Sequence, residues 1–176
     1  MENEMEATTE TKAGPMEKDT KVKKVLIICS KGTLQDVYAA LIMANGAVMD
    51  GIETHVFFTF FGLDAITKKK LDELHISTVG NPSLMRHVPT MVAGLPGFES
   101  LASTMMKKEM EKLDIPPVSE LLEMIVAGGG KLYGCLLAVE MFKLERDDFV
   151  EDLDSIITVG DMFALADGDN SHIIFV

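Results

Sequence analysis

Two cysteines are the residues of this chain with the most distinctive chemistry. Cys135 follows "KLYG" and precedes "LLAVEMF", whereas Cys29 closes the apolar run "KVLIIC" in front of "SKGT". Each is expected at the carboxyl end of a strand, just before a helix whose free amides and dipole stabilise a thiolate. The alternative for both is a small buried apolar residue. An exposed Cys135 would favour the reactive interpretation, and a buried one the structural interpretation.

Other candidate chemistry is weaker. The four histidines, which are His55, His75, His87 and His172, form no H-x-x-x-H pair, and the cysteines form no C-x-x-C pair. We therefore expect no metal site and no bound cofactor. Arg86 and His87 are possible auxiliary residues, because a cation near a thiolate lowers its pKa; a solvated surface pair is the alternative. The stretch "SKGTLQD" could hold an anion, but it lacks the spacing of a nucleotide-binding loop.

Composition limits the class of protein. The chain has 176 residues, which suits one domain, with 16 Lys and Arg against 28 Asp and Glu. Nucleic acid is an unfavourable partner for such a surface, and no apolar run reaches the length of about 18 residues expected of a membrane span. Residues 1–20 are acidic, without hydrophobic periodicity, and are expected to form a disordered tail before a domain of residues 21–176. The start lacks the pattern of a signal peptide, and two cysteines suit a reducing cytoplasm.

The hydrophobic pattern predicts an α/β fold. Apolar runs in "VKKVLIICS", "IETHVFFTFFG", "KLYGCLL", "SIITVG" and "SHIIFV" predict strands, with helical periodicity between most of them. The stretch "HISTVG" could form a further short strand. Thr33 is a predicted N-cap and Gly51 a predicted stop for the first helix, and residues 81–99 form a predicted long loop. The alternation predicts a flavodoxin-like, open, mainly parallel sheet of about five strands with helices on both faces. Ligand sites in such sheets lie outside the carboxyl ends of the strands.

Several stretches also carry a family resemblance. These are "NGAVMDGIETHVFFTFFGL" from Asn45 to Leu63, "TMMKKEMEKLDI", "KLYGCLLAVEMFKLERDDFVEDLD" and "GDMFALA". On these motifs residues 22–176 resemble the DsrE/DsrF-like sulfur-relay family. The resemblance implies a flavodoxin-like sheet, homo-oligomers, and Cys135 as a cysteine that takes up sulfane sulfur as a persulfide. It further implies sulfur transfer to a partner thiol, with a small TusA-like sulfur-carrier protein or a rhodanese-type donor as partner.

Other hypotheses stay open beside this one. The chain could be a non-catalytic oligomeric scaffold or a small-ligand-binding module in which Cys135 is a buried structural residue. A peroxide-reducing thiol protein ranks last, because no Thr and Pro precede a cysteine at the required spacing. The apolar segment from Ser83 to Phe98 predicts an oligomer surface. Cys29 could resolve a Cys135 persulfide into a disulfide if their two strands are neighbours.

Overall fold

A computed structural model describes residues 22–77, 98–168 and 170–176 of the chain. Its strands form one sheet in which every pairing is parallel and the order is β4-β3-β2-β1-β5. The strands are β1 (Lys24–Cys29), β2 (Glu53–Phe58), β3 (Lys131–Cys135), β4 (Leu153–Ile157) and β5 (Ser171–Phe175). The predicted flavodoxin-like, five-stranded α/β fold is therefore confirmed.

Five α-helices and three short 3₁₀ helices connect the described strands. The α-helices are α1 (Leu34–Met49), α2 (Phe98–Lys112), α3 (Val118–Ala127), α4 (Leu136–Phe142) and α5 (Val159–Leu165). The 3₁₀ helices are Phe60–Ile66, Leu71–Glu73 and Arg146–Asp148.

Some predictions about the first residues and the middle of the chain are wrong or concern residues that the structure does not describe. The strand predicted in "HISTVG" is wrong for His75 to Ser77, which lie outside any strand. Phe98 and Glu99, at the end of the predicted loop, belong to α2, and the rest of that loop lies outside the described residues. The predicted tail of residues 1–20 and the oligomer surface predicted from residue 83 onward lie outside the described residues, except for Phe98.

The two faces of the sheet carry different numbers of helices. Strand register and the direction of the connections show which residues and helices lie on each face. Laterally paired residues share a face, so Cys29, Phe58 and Gly134 lie together, and a Cβ on Gly134 would contact Leu63 and Val139. Right-handed crossovers that step from β1 to β4 keep α1, α3 and α4 on this face, called here the helix-rich face. The return from β4 to β5 crosses the sheet the other way and places α5 on the opposite face, the α5 face. Lys24, on that face by register, donates to the carbonyl of Asp167 just after α5.

Helix α1 begins and ends where the sequence predicts, although its cap differs in detail. Thr33 has the extended backbone of an N-cap, but its side chain caps no amide; the hydroxyl donates to the Asp36 carboxylate instead. Gly51 follows the helix with a φ of 72°, a left-handed conformation that glycine adopts without a Cβ penalty. The helix packs along the helix-rich face, with Leu34, Val37 and Leu41 buried.

The turn after β2 packs directly against the end of β1. Thr59 N–H donates to the carbonyl of Cys29 at 3.0 Å, and Gly62 N–H donates to the carbonyl of Ser30 at 3.2 Å. A Cβ on Gly62 would lie 2.1 Å from the carbonyl oxygen of Cys29. Glycine at this position therefore allows two backbone segments to touch at the carboxyl edge of the sheet.

Candidate functional site

Cys135 is the last residue of β3 and occupies the N-cap position of α4. The predicted placement of this cysteine at the carboxyl edge of a central strand is thus correct. By the alternation of side chains along a strand, its thiol points to the α5 face, as Tyr133 does. Its paired neighbour on β4 is Ile157. The residue is only 4 % exposed, so Cys135 is not a displayed thiol in the single chain, and this observation favours the structural interpretation set out above.

Large apolar side chains are exposed around this end of β3. They follow β2, β3 and β4, whose carboxyl ends meet at one edge of the sheet. We call them the apolar rim: Phe60, Phe61, Leu136, Leu137, Met141, Phe142, Val159 and Phe163. Leu137 is 68 % exposed and Phe163 60 % exposed. The rings of Phe61 and Phe142 lie 5.7 Å apart between centroids and so join the turn after β2 to α4.

Part of this rim is not predictable from the hydrophobic pattern. The apolar run "IETHVFFTFFG" predicts one strand, whereas β2 ends at Phe58. Phe60 then takes a positive φ of 45°, which is unusual for a residue with a side chain. Phe60 and Phe61 are consequently exposed rather than buried. The signal available was Gly62 at the end of the run, since glycine is typical of a turn.

Cys29 also ends a strand and is buried, but it lies on the other face of the sheet and has different neighbours. It is fully buried on the helix-rich face, with its Sγ 3.6 Å from the carbonyl oxygen of Lys31. Burial, reinforced by the negative charge of Asp36, raises the pKa of its thiol to about 12. A thiol with this pKa stays protonated at neutral pH and is a poor nucleophile.

The resolving role considered for Cys29 is wrong. It required β1 and β3 to be neighbours, but β2 lies between them. Cys29 pairs with Phe58 and Phe58 with Gly134, so two strand spacings, about 9.5 Å, separate the row of Cys29 from β3. A disulfide needs Cα atoms within about 7 Å. Cys135 also follows Gly134 by one residue and points to the other face of the sheet.

Within the described residues, no other candidate side chain lies beside Cys135. Arg86 and His87 lie outside the described residues. His55 is buried and its Nε2 lies 2.8 Å from a carboxylate oxygen of Glu53, at the opposite, amino-terminal end of the strands. Within the described residues, no group of three or more His, Cys, Asp and Glu side chains could hold a metal ion.

The loop "SKGT" borders a polar pocket of about 430 Å³, but its charges do not suit an anion. The pocket is lined by Gly32 and Thr33 and also by the carboxylates of Asp64 and Glu73. Its lysine, Lys70, already pairs with Asp64 at 2.7 Å. The anion cradle considered from the sequence thus gains no electrostatic support. Of the helices in the described part, none has the length and apolar character needed to cross a membrane.

The chain is similar to known proteins in sequence and in fold. Residues 21–174 match the model of the DsrE/DsrF/DrsH-like family. A 135-residue stretch is 31 % identical to the sulfur carrier protein DsrE2 of Allochromatium vinosum, over 73 % of this chain and 84 % of that protein. The protein YrkE of Bacillus subtilis is 26 % identical over 135 residues, with 75 % of this chain and 84 % of that protein covered. In fold, the chain resembles the crystal structure of the YchN protein of E. coli, with a TM-score of 0.55, 10 % identity, and coverage of 88 % of this chain and 100 % of that one.

Proposed function

Because the chain belongs to the DsrE/DsrF/DrsH-like family, we propose that it is a sulfur carrier that acts as a protein-to-protein sulfurtransferase. It holds sulfane sulfur as a persulfide on Cys135 and passes that sulfur to the thiol of a partner protein. The observation that carries the proposal is the 31 % identity to a protein named as a sulfur carrier, across 84 % of that protein's length. A cytoplasmic location and a homo-oligomeric state belong to the same proposal.

We assign the sulfur to Cys135 rather than to Cys29 because the two thiols have different surroundings. With a pKa of about 12, only about one Cys29 thiol in 10⁵ is ionised at pH 7. Cys29 also lies beneath the turn that contains Gly62 and is fully buried. Cys135 lies at the carboxyl edge of the sheet, where ligand sites in such folds occur, and the exposed residues Leu136 and Leu137 follow it directly.

The chemistry is a pair of displacements at sulfur. The Cys135 thiolate attacks the outer sulfur of a donor persulfide, forms a new S–S bond, and releases the donor as its thiolate. An acceptor thiolate then attacks the outer sulfur of the Cys135 persulfide, and Cys135 leaves as a thiolate. Each step makes one S–S bond and breaks one, so the relay needs no external oxidant or reductant.

The apolar rim gives the transfer a docking surface. Its exposed side chains follow the carboxyl ends of β2, β3 and β4, and aromatic and Met side chains are enriched in the cores of protein interfaces. A small TusA-like sulfur-carrier protein or a rhodanese-type donor that covers the rim would bring its own thiol beside α4. The burial of Cys135 then has a use, since an apolar surrounding shields a labile persulfide from water between transfers.

Intact-mass measurement after incubation with polysulfide, or with thiosulfate and a rhodanese, tests the proposal. The expected product is one adduct of about 32 Da per chain, the mass of a single sulfur atom. Cys135→Ser should abolish the adduct, and the matched control Cys29→Ser should keep it. An adduct that persists on the Cys135→Ser protein would contradict the assignment.

A second candidate function is favoured by the 4 % exposure of Cys135. In this alternative the chain is a non-catalytic oligomeric scaffold or small-ligand-binding module, and Cys135 fills the sheet edge. The same mass experiment separates the two functions. A wild-type chain that gains no sulfur from any donor, while both of its thiols react after unfolding, would favour the scaffold.

A further inference from the structure

The strand β5 forms one edge of the sheet and is unusually apolar for an edge. Only β1 pairs with it among the described strands. On the α5 face it presents Ile173, 48 % exposed, and Phe175, 69 % exposed. On the helix-rich face a groove of about 400 Å³ runs between β5 and α1 and is lined mainly by apolar side chains: Val22, Val25, Ile27, Met43, Ala47, Ile52, His172, Ile173 and Ile174.

The opposite edge of the sheet, β4, is protected in a way that β5 is not. The Arg146 guanidinium donates to the carbonyls of Val150, Glu151 and Leu153, at 2.8 Å for Leu153. The charged side chain of Asp154 lies within β4 itself. Charged side chains and blocked backbone groups are the usual means by which natural proteins prevent pairing at sheet edges.

The hydrogen bonds just after β5 run inward, toward the end of β1. Val176 N–H donates to the carbonyl of Ile28, and both Ser30 N–H and the Ser30 hydroxyl donate to the carbonyl of Val176. The sequence "SHIIF" contains no Lys, Arg, Asp, Glu or Pro. Successive residues of an edge strand direct backbone groups alternately inward and outward. Among the residues that the structure describes, none covers the outer edge of β5, so this apolar strand offers a template for another strand.

We propose that β5 pairs with β5 of a second copy of this chain and joins two sheets into one continuous sheet of ten strands. Charge favours a second copy as the partner strand. The chain carries a net charge of −12, so most of its surfaces repel a copy of themselves. In β5 no carboxylate would face its own copy. The inference rests on the homo-oligomer proposed above and not on sulfur transfer.

A two-fold axis perpendicular to the sheet fixes the geometry of this contact. It makes the two β5 strands antiparallel and keeps both helix-rich faces on the same side. Full overlap of Ser171–Phe175 places Ile173 opposite its own copy and His172 opposite Ile174. The two α1 helices then flank the seam, where their exposed Ile42 and Met43 extend the contact beyond the strands.

Complementary charges at Ile173 test the contact in the full-length chain. Ile173→Lys places two like charges face to face, so the mass measured by light scattering and by sedimentation should fall at least twofold. Ile173→Glu should behave in the same way, and an equimolar mixture of both variants should restore the wild-type mass. Leu137→Lys, a matched change at an exposed residue of the apolar rim, should leave the mass unchanged.

Each outcome decides for or against the β5 contact. A wild-type chain that is monomeric at micromolar concentration overturns it, and so does an Ile173→Lys protein of unchanged mass, a mixture that stays dissociated, or dissociation by Leu137→Lys alone. Phe175→Lys replaces Ile173→Lys if circular dichroism shows that the latter is unfolded. Sulfur uptake by Cys135 is measured on the same samples. If it is absent from the wild type, the sulfur-carrier proposal fails while the β5 contact still stands.

Discussion

Gly62→Ala should destabilise the fold by about 1–3 kcal/mol, because an alanine at this position overpacks backbone against backbone. The new Cβ would lie 2.1 Å from the carbonyl oxygen of Cys29 and 2.8 Å from its carbonyl carbon. Neither atom belongs to a side chain that can rotate away, so the turn after β2 must move. Such a movement also stretches the hydrogen bond of 3.2 Å from Gly62 N–H to the carbonyl of Ser30.

Gly46→Ala is the matched control for this change. Gly46 lies in α1 and is exposed, and a Cβ there would meet nothing within 4 Å. Alanine in a helix is more favourable than glycine by about 0.5–1 kcal/mol, so this variant should be slightly more stable than the wild type. The same substitution should therefore have opposite signs at two positions of one chain.

Urea unfolding followed by circular dichroism measures both variants. The midpoint should fall for Gly62→Ala and rise for Gly46→Ala, with equal slopes so that the shift reports stability alone. A Gly62→Ala protein within about 0.5 kcal/mol of the wild type would refute the reasoning. That result would mean that the turn does not pack against the end of β1 as described.

Two further predictions concern titratable groups. In the native chain, Cys29 should react with iodoacetamide at least about tenfold more slowly than an ordinary thiol, because its pKa is raised from 9.0 to about 12 and the loss of thiolate outweighs the greater nucleophilicity of a more basic thiolate; mass mapping after timed quenching checks this, and rapid native labelling of Cys29 would contradict it. The hydrogen bond from His55 lowers the pKa of Glu53 below its ordinary 4.5, so the stability from this carboxylate is present above that value and is lost as pH falls through the lowered pKa. Glu53→Gln should therefore show a shallower fall in Tm on acidification than the wild type, and identical acid limbs would argue against the linkage.

The strands and the end of β3 could be predicted from sequence because they depend on local pattern. Strands covered on both faces read as continuous apolar runs, and the run that ends at Cys29 is an example. The C-terminal stop at Gly51 and the placement of Cys135 before a helix follow from similarly short-range signals. For these features the local sequence and the final fold agree.

Strand order and the direction of side chains could not be predicted in this way. The relation between the two cysteines depends on β2 lying between β1 and β3, and no local pattern encodes that order. The exposure of Phe60 could not be predicted from sequence either, because an apolar residue within an apolar run is expected to be buried. Its positive φ arises from the packing of the next residues against β1, which is a tertiary effect.

The opposite orientation of the two cysteines has a kinetic consequence. Because the folded chain brings no second thiol within reach of Cys135, any sulfur or oxidised group that this residue acquires cannot be discharged within the molecule. Release must be bimolecular, with a rate proportional to the concentration of an external thiol. Each chain would therefore have a capacity of one sulfur, and the lifetime of its load would be set by how often an acceptor arrives.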